Sequence, residues 1–544
     1  MTAEQLYAGQ KKLSEMGLID ILVIAPAGCG KTQALAGRAT SLVLRREVQA
    51  PRKLLAVTFT NKARDGLKAR IGATMLSRQA SLITVTNLHG LATRVFKAHG
   101  GSLGLPIQRD RIERMAHLRL QKSLGIAYGN QPDVDACLVA AKRGLWPDEE
   151  VLARLEGDSV ALKYELALRA ADVVDYDDLI RYGARILAQP SVAALYRNHF
   201  AGVLVDEVQD LTMLQLGMVN AIGAGRTTFA GDPAQGIYAF AGGDPEGVFG
   251  SIRAAAPAVV TLSVSYRSSP AVLKVVNAIA GQMCETLLTC ADPDPDAWDS
   301  EAKVTCLIFA TLAAETDALV RGIKRKLEDH PEWSIGILGR SKARFKELVS
   351  KLGAEGHHVQ NWTLPEQSQE VHRRFRTHLT SVVAFSSDPE AQLDRLSSLC
   401  RAELIGSDPD LLDEVIEACE ALRGHVRSGQ TLTQAVAACR VEEVRAQEGP
   451  ISPGVHALTG HASKGHEFDL VIVVGMEEGH IPSRFASTEE EFNEELRVLH
   501  VMASRAKTAL VFTRIRGTGT DDNASRWCSL ISPDFGGPTP PQVL

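Results

Sequence analysis

Two short stretches of the chain contain residue types that could do chemistry together. The first, "APAGCGKT" (25–32), follows an apolar run and precedes a helix-forming run, with Ala25 where the usual phosphate-loop pattern has its first glycine. Backbone N–H groups in such a loop can surround phosphate oxygens, and the positive end of the following helix adds to the attraction. Lys31 would reach the outer phosphates, and the Thr32 hydroxyl would ligate Mg²⁺. The expected backbone contacts come from Ala27, Gly28, Cys29, Gly30, Lys31 and Thr32. The alternative is a glycine-rich turn with a surface lysine, and the flanking strand and helix weigh against it.

The second stretch, "VLVDEVQD" (203–210), is an apolar strand that ends in carboxylates. In isolation, an ordinary solvated exit from a strand would explain such a pattern. In the same sheet as a phosphate loop, however, an acidic pair is what Mg²⁺-dependent nucleotide hydrolysis requires. Asp206 would then hold the metal ion, and Glu207 would act as the general base on the attacking water.

Alternating strand and helix patterns surround both stretches. Three segments each show a strand, a loop and then a helix: 20–43, 53–71 and 83–99. Strand patterns return at 200–207, 227–232, 258–269, 333–340, 470–476 and 508–515. Residues 100–195 and 366–449 show helical patterns instead. This order predicts an α/β fold in which two parallel-sheet regions are each interrupted by a helical insertion.

The composition sets broad limits on domain number, partners and cellular location. The 544 residues predict about three or four domains. The net charge of −6 neither supports nor excludes a nucleic-acid partner, which would need a local basic groove. The nine cysteines show no CxxC pair and no zinc-type spacing with histidine, so we expect no structural zinc or disulfide framework. We expect a reduced, cytoplasmic protein without a signal peptide or a membrane partner, because no apolar run approaches the roughly 20 residues of a membrane span.

Taken in order along the chain, the motifs resemble those of the UvrD/Rep/PcrA-like helicases of superfamily 1A. Gln10 lies 21 residues before Lys31, like the adenine-reading glutamine of that family. The further matches are "VTFTNKARDGLKARI", "NLHGLATRV", "DYDDLI" with "DEVQD", "GDPAQGIYAFAG", "SYRSS", "LTGHASKGHEFDLVIVVGMEEGHIPS" and "NEELRVLHVMASRAK". A single match could arise by chance, whereas this ordered set is specific.

The resemblance implies two RecA-like P-loop NTPase domains with ATP bound between them. The first would comprise 1–93 and 196–262, and the second 263–365 and 450–544. The first helical insertion would be 94–195, and a second, reduced one would be 366–449. The second insertion regulates unwinding in the family, so its small size here puts autonomous unwinding in doubt.

The resemblance also assigns roles around the nucleotide. Gln235 would sense the γ-phosphate, and Arg267 and Arg505 would act as arginine fingers that stabilise charge on the transferred phosphoryl group. Contacts to the base and ribose would come from Gln10, Gln33, Tyr266 and Glu467. For either arginine alone, a surface salt bridge is the ordinary alternative, and for Tyr266 it is a place in the core.

Single-stranded DNA would cross both domains. The aromatic candidates for stacking on bases are Phe59, Tyr238 and Phe240. The candidates for backbone phosphates are Thr60, Asn61, His89 and His461. An aromatic residue after a strand is often part of the core, and a lone histidine is usually structural, so these alternatives stay open.

Several positions depart from the family pattern. Gln33 stands where relatives have an arginine that packs on adenine, so base stacking could be weaker. Ala241 replaces an arginine expected to contact DNA, and Phe240 replaces a tryptophan. None of these departures touches the predicted catalytic set, so we expect hydrolysis to be retained with altered DNA affinity. That set comprises Lys31, Asp206, Glu207, Gln235, Arg267 and Arg505.

The leading functional prediction is an ATP-dependent, UvrD-type DNA helicase or translocase. Single-stranded DNA would stimulate ATP hydrolysis and the protein would move 3′→5′, in DNA repair, recombination or anti-phage defence. The expected ligands are ATP, Mg²⁺ and single-stranded or 3′-tailed DNA. The alternative is an ATP-hydrolysing switch or loading subunit of a nuclease-containing, Gabija-like defence complex, which would not unwind processively and would partner a separate nuclease or other protein subunit.

Overall fold

The chain folds into two compact units. Unit 1 comprises Met1–Lys303 with Ser487–Ser504, and unit 2 comprises Val304–Ala486 with Arg505–Leu544. The computed structural model describes residues 8–111, 120, 124, 131–155, 157, 159–237, 243–255, 257–294, 298, 300–361, 366–402, 415, 419, 422–423, 426, 431–436, 451–484, 486–517 and 523–536.

Unit 1 is built on a parallel sheet with the strand order β3-β2-β6-β7-β1-β8. Its strands are β1 (Ile21–Ile24), β2 (Lys53–Thr58), β3 (Ile83–Asn87), β6 (Phe200–Val205), β7 (Thr227–Gly231) and β8 (Ala258–Thr261). The central strands β1, β6 and β7 are buried at every residue, as expected where helices cover both faces of a parallel sheet. Two pairs of short parallel strands complete the unit: β4 (Asp110–Arg111) with β5 (Val173–Val174), and β9 (Val264–Ser265) with β10 (Thr289–Cys290).

Helices connect and cover the strands of unit 1. They are α1 (Ala8–Glu15), α2 (Lys31–Leu44), α3 (Asn61–Thr74), α4 (Ser77–Ala80), α5 (Leu88–His99), α6 (Gln131–Lys142), α7 (Asp148–Leu155), α8 (Ser159–Ala170), α9 (Tyr176–Leu187), α10 (Pro190–His199), α11 (Met213–Gly223), α12 (Pro245–Ala254), α13 (Pro270–Gln282) and α18 (Glu489–Ala503). Short 3₁₀ helices cover Gly100–Leu103, Val208–Asp210 and Pro233–Gln235. Proline occupies the first turn of α10, α12 and α13, where its fixed φ suits a helix start and its missing N–H is not needed.

A small apolar core of its own holds the helical region of unit 1 together. Leu138 of α6, Val151 of α7, and Tyr164 and Leu168 of α8 are buried in one cluster. The described residues of this region are mainly helical, as predicted, apart from the short strands β4 and β5. Those strands have only two residues each, too few for a periodic sequence signal.

Unit 2 contains a second parallel sheet, with the order β11-β16-β15-β12-β14-β13. Its strands are β11 (Val304–Phe309), β12 (Ser334–Gly339), β13 (Val359–Asn361), β14 (Gly454–Thr459), β15 (Phe468–Val474) and β16 (Ala506–Ile515). Its helices are α14 (Leu312–Asp329), α15 (Lys346–Ala354), α16 (Glu366–Phe385), α17 (Pro389–Ala402) and α19 (Cys528–Ile531), with 3₁₀ turns at Lys342–Arg344 and Pro533–Gly536. The prediction of two α/β regions with helical insertions is therefore confirmed. No helix in the described ranges combines the length and apolar character that crossing a membrane requires.

One predicted strand is divided in the structure. The sequence suggested a continuous strand over 258–269, whereas β8 ends at Thr261 and β9 begins at Val264. The Leu262 N–H donates to the carbonyl of Ile24, and one residue later the Ser263 carbonyl accepts from Thr289 N–H. The chain thus changes partner from β1 to β10, which local sequence patterns cannot reveal.

Candidate active site

The residues predicted to act on a nucleotide in unit 1 follow three neighbouring strands. β6, β7 and β1 are adjacent in the sheet and all parallel, so their carboxyl ends lie at one edge. The phosphate loop follows β1, the Asp206–Glu207 pair follows β6, and the turn with Asp232 and Gln235 follows β7. Ligands bind at this edge in open parallel sheets.

The phosphate loop has the backbone that phosphate binding requires. Gly28 and Gly30 have φ values of 86° and 71°, in the left-handed region that glycine adopts without strain. A Cβ on Gly28 would lie 2.8 Å from Ser265 Oγ, so the loop is closely packed as well as turned. α2 begins at the next residue after Gly30, which directs a helix N-terminus toward the loop. The loop therefore fits an anionic phosphate chain.

Lys31 and the acidic pair form one ionic group. Lys31 Nζ lies 2.5 Å from Glu207 Oε2 and 3.7 Å from Asp206 Oδ1. Burial opposes the charged form of Lys31, but Glu207 and Asp206 outweigh it and raise the pKa of the ammonium above its usual range. Burial raises the pKa of Asp206 to about 6; Lys31 counteracts this increase and Glu207 adds to it. A divalent cation beside Asp206 would favour its ionised form, so this carboxylate fits the metal-binding role.

The backbone at Glu207 is unusual. Its φ of 56° and ψ of 50° lie in the left-handed region, which is uncommon for residues other than glycine, asparagine and aspartate. The Glu207 N–H donates to Asp206 Oδ1 at 3.1 Å. Strained backbone of this kind occurs where the surrounding structure holds a functional side chain in place.

The turn after β7 holds the predicted γ-phosphate sensor. Asp232 Oδ1 accepts from the Ala234 N–H at 3.1 Å, and Asp232 Oδ2 accepts from Gln235 Nε2 at 2.5 Å. Gln235 is buried, and its 3₁₀ turn packs against α18. The Gln235 amide is thus fixed on the same sheet edge as Lys31 and Glu207.

The predicted base-binding residues border the phosphate loop. Gln10 Nε2 donates to the Cys29 carbonyl at 3.2 Å, and the Tyr266 N–H donates to the Gly28 carbonyl at 2.9 Å. The Tyr266 residue is 37% exposed, which leaves its side chain accessible to a base and argues against the core alternative. Arg267 Nη1 donates to the Ser504 carbonyl at 3.1 Å.

Other predicted residues near the loop are solvent-facing or partly buried. Ala27 and Thr32 are partly buried, and Gln33 is exposed. Gln33 Oε1 accepts a hydrogen bond from Arg70 Nη1 at 3.3 Å. A guanidinium from α3 therefore lies beside Gln33, the position where the family resemblance leads us to expect an arginine.

Glu467 and Arg505 lie together in unit 2. They precede the neighbouring strands β15 and β16, and the Phe468 N–H donates to the Arg505 carbonyl at 3.0 Å. Arg505 is buried and Nη1 donates to the His466 carbonyl at 3.4 Å, whereas Glu467 is exposed. Both residues occupy the amino edge of their sheet.

The one DNA contact predicted in unit 2, His461, lies at the other edge of that sheet. His461 follows the carboxyl end of β14. Burial, aided by the charges of Arg340 and Lys464, lowers the pKa of the His461 imidazole to about 4. Arg340, which follows β12, and Lys464 were not identified from the sequence. A position directly after a strand was the only available signal for Arg340.

The DNA candidates of unit 1 follow β2 and β3, which pair with each other. Thr60 caps α3 by accepting from the Ala63 N–H at 3.1 Å, and Phe59 is partly buried. His89 is partly buried, and its ring packs edge-on against Tyr176 with 5.1 Å between centroids, which is a structural contact.

Three further DNA candidates have no described side chain. Asn61 lies in α3, but its side chain is not among the described ones. Tyr238 and Phe240 lie outside the described residues, as does Ala241.

A second group of carboxylates could be mistaken for a metal site. Oxygens of Glu165, Asp175 and Asp178 lie within 4.8 Å of one another. Lys142 Nζ lies 2.7, 2.5 and 3.0 Å from these three residues. Arg169 pairs with Glu165 at 2.9 Å and Arg181 with Asp178 at 2.7 Å, so the three carboxylates already have three cationic partners and the group is explained as a salt-bridge network.

Two family models match the chain. The "UvrD/REP helicase N-terminal domain" matches residues 6–253, and the "UvrD-like helicase C-terminal domain" matches residues 391–517, together more than half of the chain. The chain belongs to the UvrD-like helicase family. It is thus an enzyme of the ATP-hydrolysing helicase class.

Several relatives of this UvrD-like helicase align with most of its length. ATP-dependent DNA helicase Rep of Escherichia coli is 24% identical, over 94% of this chain and 90% of Rep. ATP-dependent DNA helicase UvrD2 of Mycobacterium tuberculosis is 26% identical, over 94% of this chain and 79% of UvrD2. DNA helicase II of E. coli is 24% identical, over 91% and 82% of the two chains.

Proposed function

We propose that this UvrD-like helicase is a motor that hydrolyses ATP and moves 3′→5′ along single-stranded DNA. The observation that carries the proposal is the convergence of Lys31, Asp206, Glu207 and Gln235 at one sheet edge of unit 1. A lysine, a metal-binding carboxylate, a base and a polar sensor are the groups that phosphoryl transfer to water requires.

Each group has a separate chemical task. Lys31 and the backbone of the phosphate loop bind the phosphates, and Glu207 takes the proton from the attacking water. Thr32 and Asp206 would hold Mg²⁺, which neutralises charge on the phosphate oxygens when bound. Arg267 and Arg505 would stabilise the charge that develops during transfer.

The residues at the nucleotide edge also suggest how DNA and ATP could be coupled. The DNA candidates Phe59 and Thr60 follow β2, and β2 pairs directly with β6, which Asp206 follows. No strand lies between these two loops, so a change at Asp206 could pass directly to the DNA loop. In unit 2, Arg340 and Lys464 would add positive charge beside His461 for the phosphate backbone.

The names of the relatives support DNA as the partner, and the residues of the site support ATP as the nucleotide that is hydrolysed. The relatives are named DNA helicases, which supports DNA as the substrate. Single-stranded or 3′-tailed DNA as the form of that substrate, and repair or recombination as the setting, are part of the proposal. A role in anti-phage defence is a more specific proposal, in which a nuclease or another protein is the partner. We would prefer it to the autonomous motor only if ATP hydrolysis requires that partner.

Steady-state ATP hydrolysis tests the proposal directly. Purified protein should hydrolyse ATP faster with single-stranded DNA, and Glu207→Gln should abolish most of the stimulated rate, because the amide cannot accept the proton. Glu246→Gln is the matched control, since Glu246 is exposed and pairs only peripherally with Arg497. Unwinding of 3′-tailed but not 5′-tailed duplexes would support the polarity. A rate of ATP hydrolysis that is the same with and without single-stranded DNA would contradict the motor proposal.

A further inference from the structure

The proposed general base, Glu207, must hold its carboxylate in a fixed position. The side-chain amide of Gln209 can hold it there through a hydrogen bond. We propose that Gln209 is a positioning residue that holds Glu207 and joins it to the turn that carries Gln235. The proposal rests on the proposed ATP hydrolysis.

Both polar atoms of the Gln209 side-chain amide form hydrogen bonds, one within the loop that follows β6 and one to the turn that follows β7. Nε2 donates a hydrogen bond to Glu207 Oε2, and Oε1 accepts the Asp232 N–H at 3.0 Å. Gln209 is only 1% exposed, so water competes little for either bond. The two partners also fix the amide orientation, because a carboxylate can only accept from nitrogen and a backbone N–H can only donate to oxygen.

The connection continues beyond Asp232. The Asp232 carboxylate accepts from Gln235 Nε2 at 2.5 Å and from the Ala234 N–H at 3.1 Å. A series of hydrogen bonds therefore runs from the partly buried Glu207 through the buried Gln209 and Asp232 to Gln235. It links the proposed base to the proposed γ-phosphate sensor without passing through the nucleotide.

The end of β7 is shaped around this amide. A Cβ on Gly231 would lie 2.6 Å from Gln209 Oε1, well inside contact distance. Gly231 is extended, not left-handed, so backbone conformation does not explain the glycine. The space it leaves is the space that the Gln209 carbonyl occupies.

Gln209 also explains how Glu207 could stay in place during the reaction. Lys31 Nζ and Gln209 Nε2 donate to the same oxygen, Glu207 Oε2. When Lys31 turns to the phosphates, Gln209 would still hold that oxygen. A carboxylate held this way remains aligned with water, and a misplacement of about 1 Å can cost roughly 100-fold in rate.

The test separates chemistry from binding. Gln209→Leu keeps the side-chain volume and removes both hydrogen bonds, and Gln209→Asn keeps the amide with too short a reach. We expect both to lower kcat for DNA-stimulated ATP hydrolysis at least about tenfold, with KM for ATP within about twofold. Tm should fall only modestly, because a single buried N–H, that of Asp232, loses its acceptor. Gln215→Leu is the matched control: Gln215 is also a buried glutamine of unit 1, but its Oε1 accepts from the Thr212 N–H at the start of α11. It should keep the kcat of the unsubstituted protein.

The possible outcomes are distinct. If the unsubstituted protein does not hydrolyse ATP, the proposed function fails and this inference fails with it. If that protein is active and Gln209→Leu or Gln209→Asn retains its kcat, the inference alone is overturned. A fall in kcat that always accompanies equal losses of nucleotide binding and Tm would make Gln209 merely structural and would also overturn it.

Discussion

His461 illustrates how a single environment changes what a residue can contribute. Because burial, Arg340 and Lys464 lower its pKa to about 4, its imidazole is neutral at neutral pH. Against DNA it would offer a hydrogen bond, whereas Lys464 would offer a charge that releases a counterion. We expect His461→Gln to leave the salt dependence of DNA binding unchanged and Lys464→Gln to reduce its slope by about one.

Fluorescence anisotropy of labelled single-stranded DNA at several salt concentrations measures both slopes. A reduced slope for His461→Gln would show that the imidazole is charged when DNA binds. Equal slopes for both variants would remove Lys464 from the DNA path.

The catalytic residues differ in how well the sequence revealed them. Lys31, Asp206 and Glu207 were predictable because a phosphate loop and a strand ending in carboxylates have short, local signatures. In unit 1, Lys31 lies within 4 Å of both carboxylates. Gln209 and Asp232 were not identified, since their importance comes from a hydrogen bond between loops 23 residues apart. The roles of all these residues remain predictions.

At the scale of the elements, the network around Lys142 joins α6, α8 and α9. Removing the ammonium would leave Asp175 buried without its Lys142 counterion, and Glu165 and Asp178 would retain only part of their compensation, from Arg169 and Arg181. We expect Lys142→Met to destabilise the helical region by about 3–5 kcal/mol, the usual cost of breaking a buried ion pair from one side. Urea or thermal unfolding would measure the change.

Lys163→Met provides the matched control for this prediction. Lys163 lies on the same helix as Glu165 and is exposed, so its replacement should change stability by less than about 0.5 kcal/mol. Similar unfolding of the two variants would mean that the network contributes little.

The elements themselves were only partly predictable. Buried apolar runs such as β6, β12 and β15 stand out in the sequence, whereas β11, β13 and β14 were not identified as strands. β14 lies between β12 and β13 in the sheet, although β12 ends 115 residues before β14 begins. Pairing over such a distance leaves no local signal.

At the scale of the whole chain, unit 1 includes a helix from far along the sequence. α18 packs against α13 and against the 3₁₀ turn that contains Gln235. Buried residues of α18 include Leu496, Leu499 and Met502. A fragment of residues 1–303 would lack this cover.

We therefore expect faster hydrogen exchange in α13 in the 1–303 fragment than in the full chain, because its covering helix is missing. Exchange measured by mass spectrometry would show this, with α3 as the internal reference. Equal exchange of α13 in both proteins would mean that α18 adds no stability there. The domain boundaries predicted from motif order stay predictions.

The left-handed backbone of Glu207 has an evolutionary consequence. Glycine or asparagine would adopt this conformation at a lower energetic cost, so the backbone alone gives no reason to keep glutamate there. The reaction, together with the ion pair to Lys31 that belongs to the same site, would preserve it. In duplicated copies that no longer hydrolyse ATP, position 207 should be among the first of the site to drift, and toward these two residues.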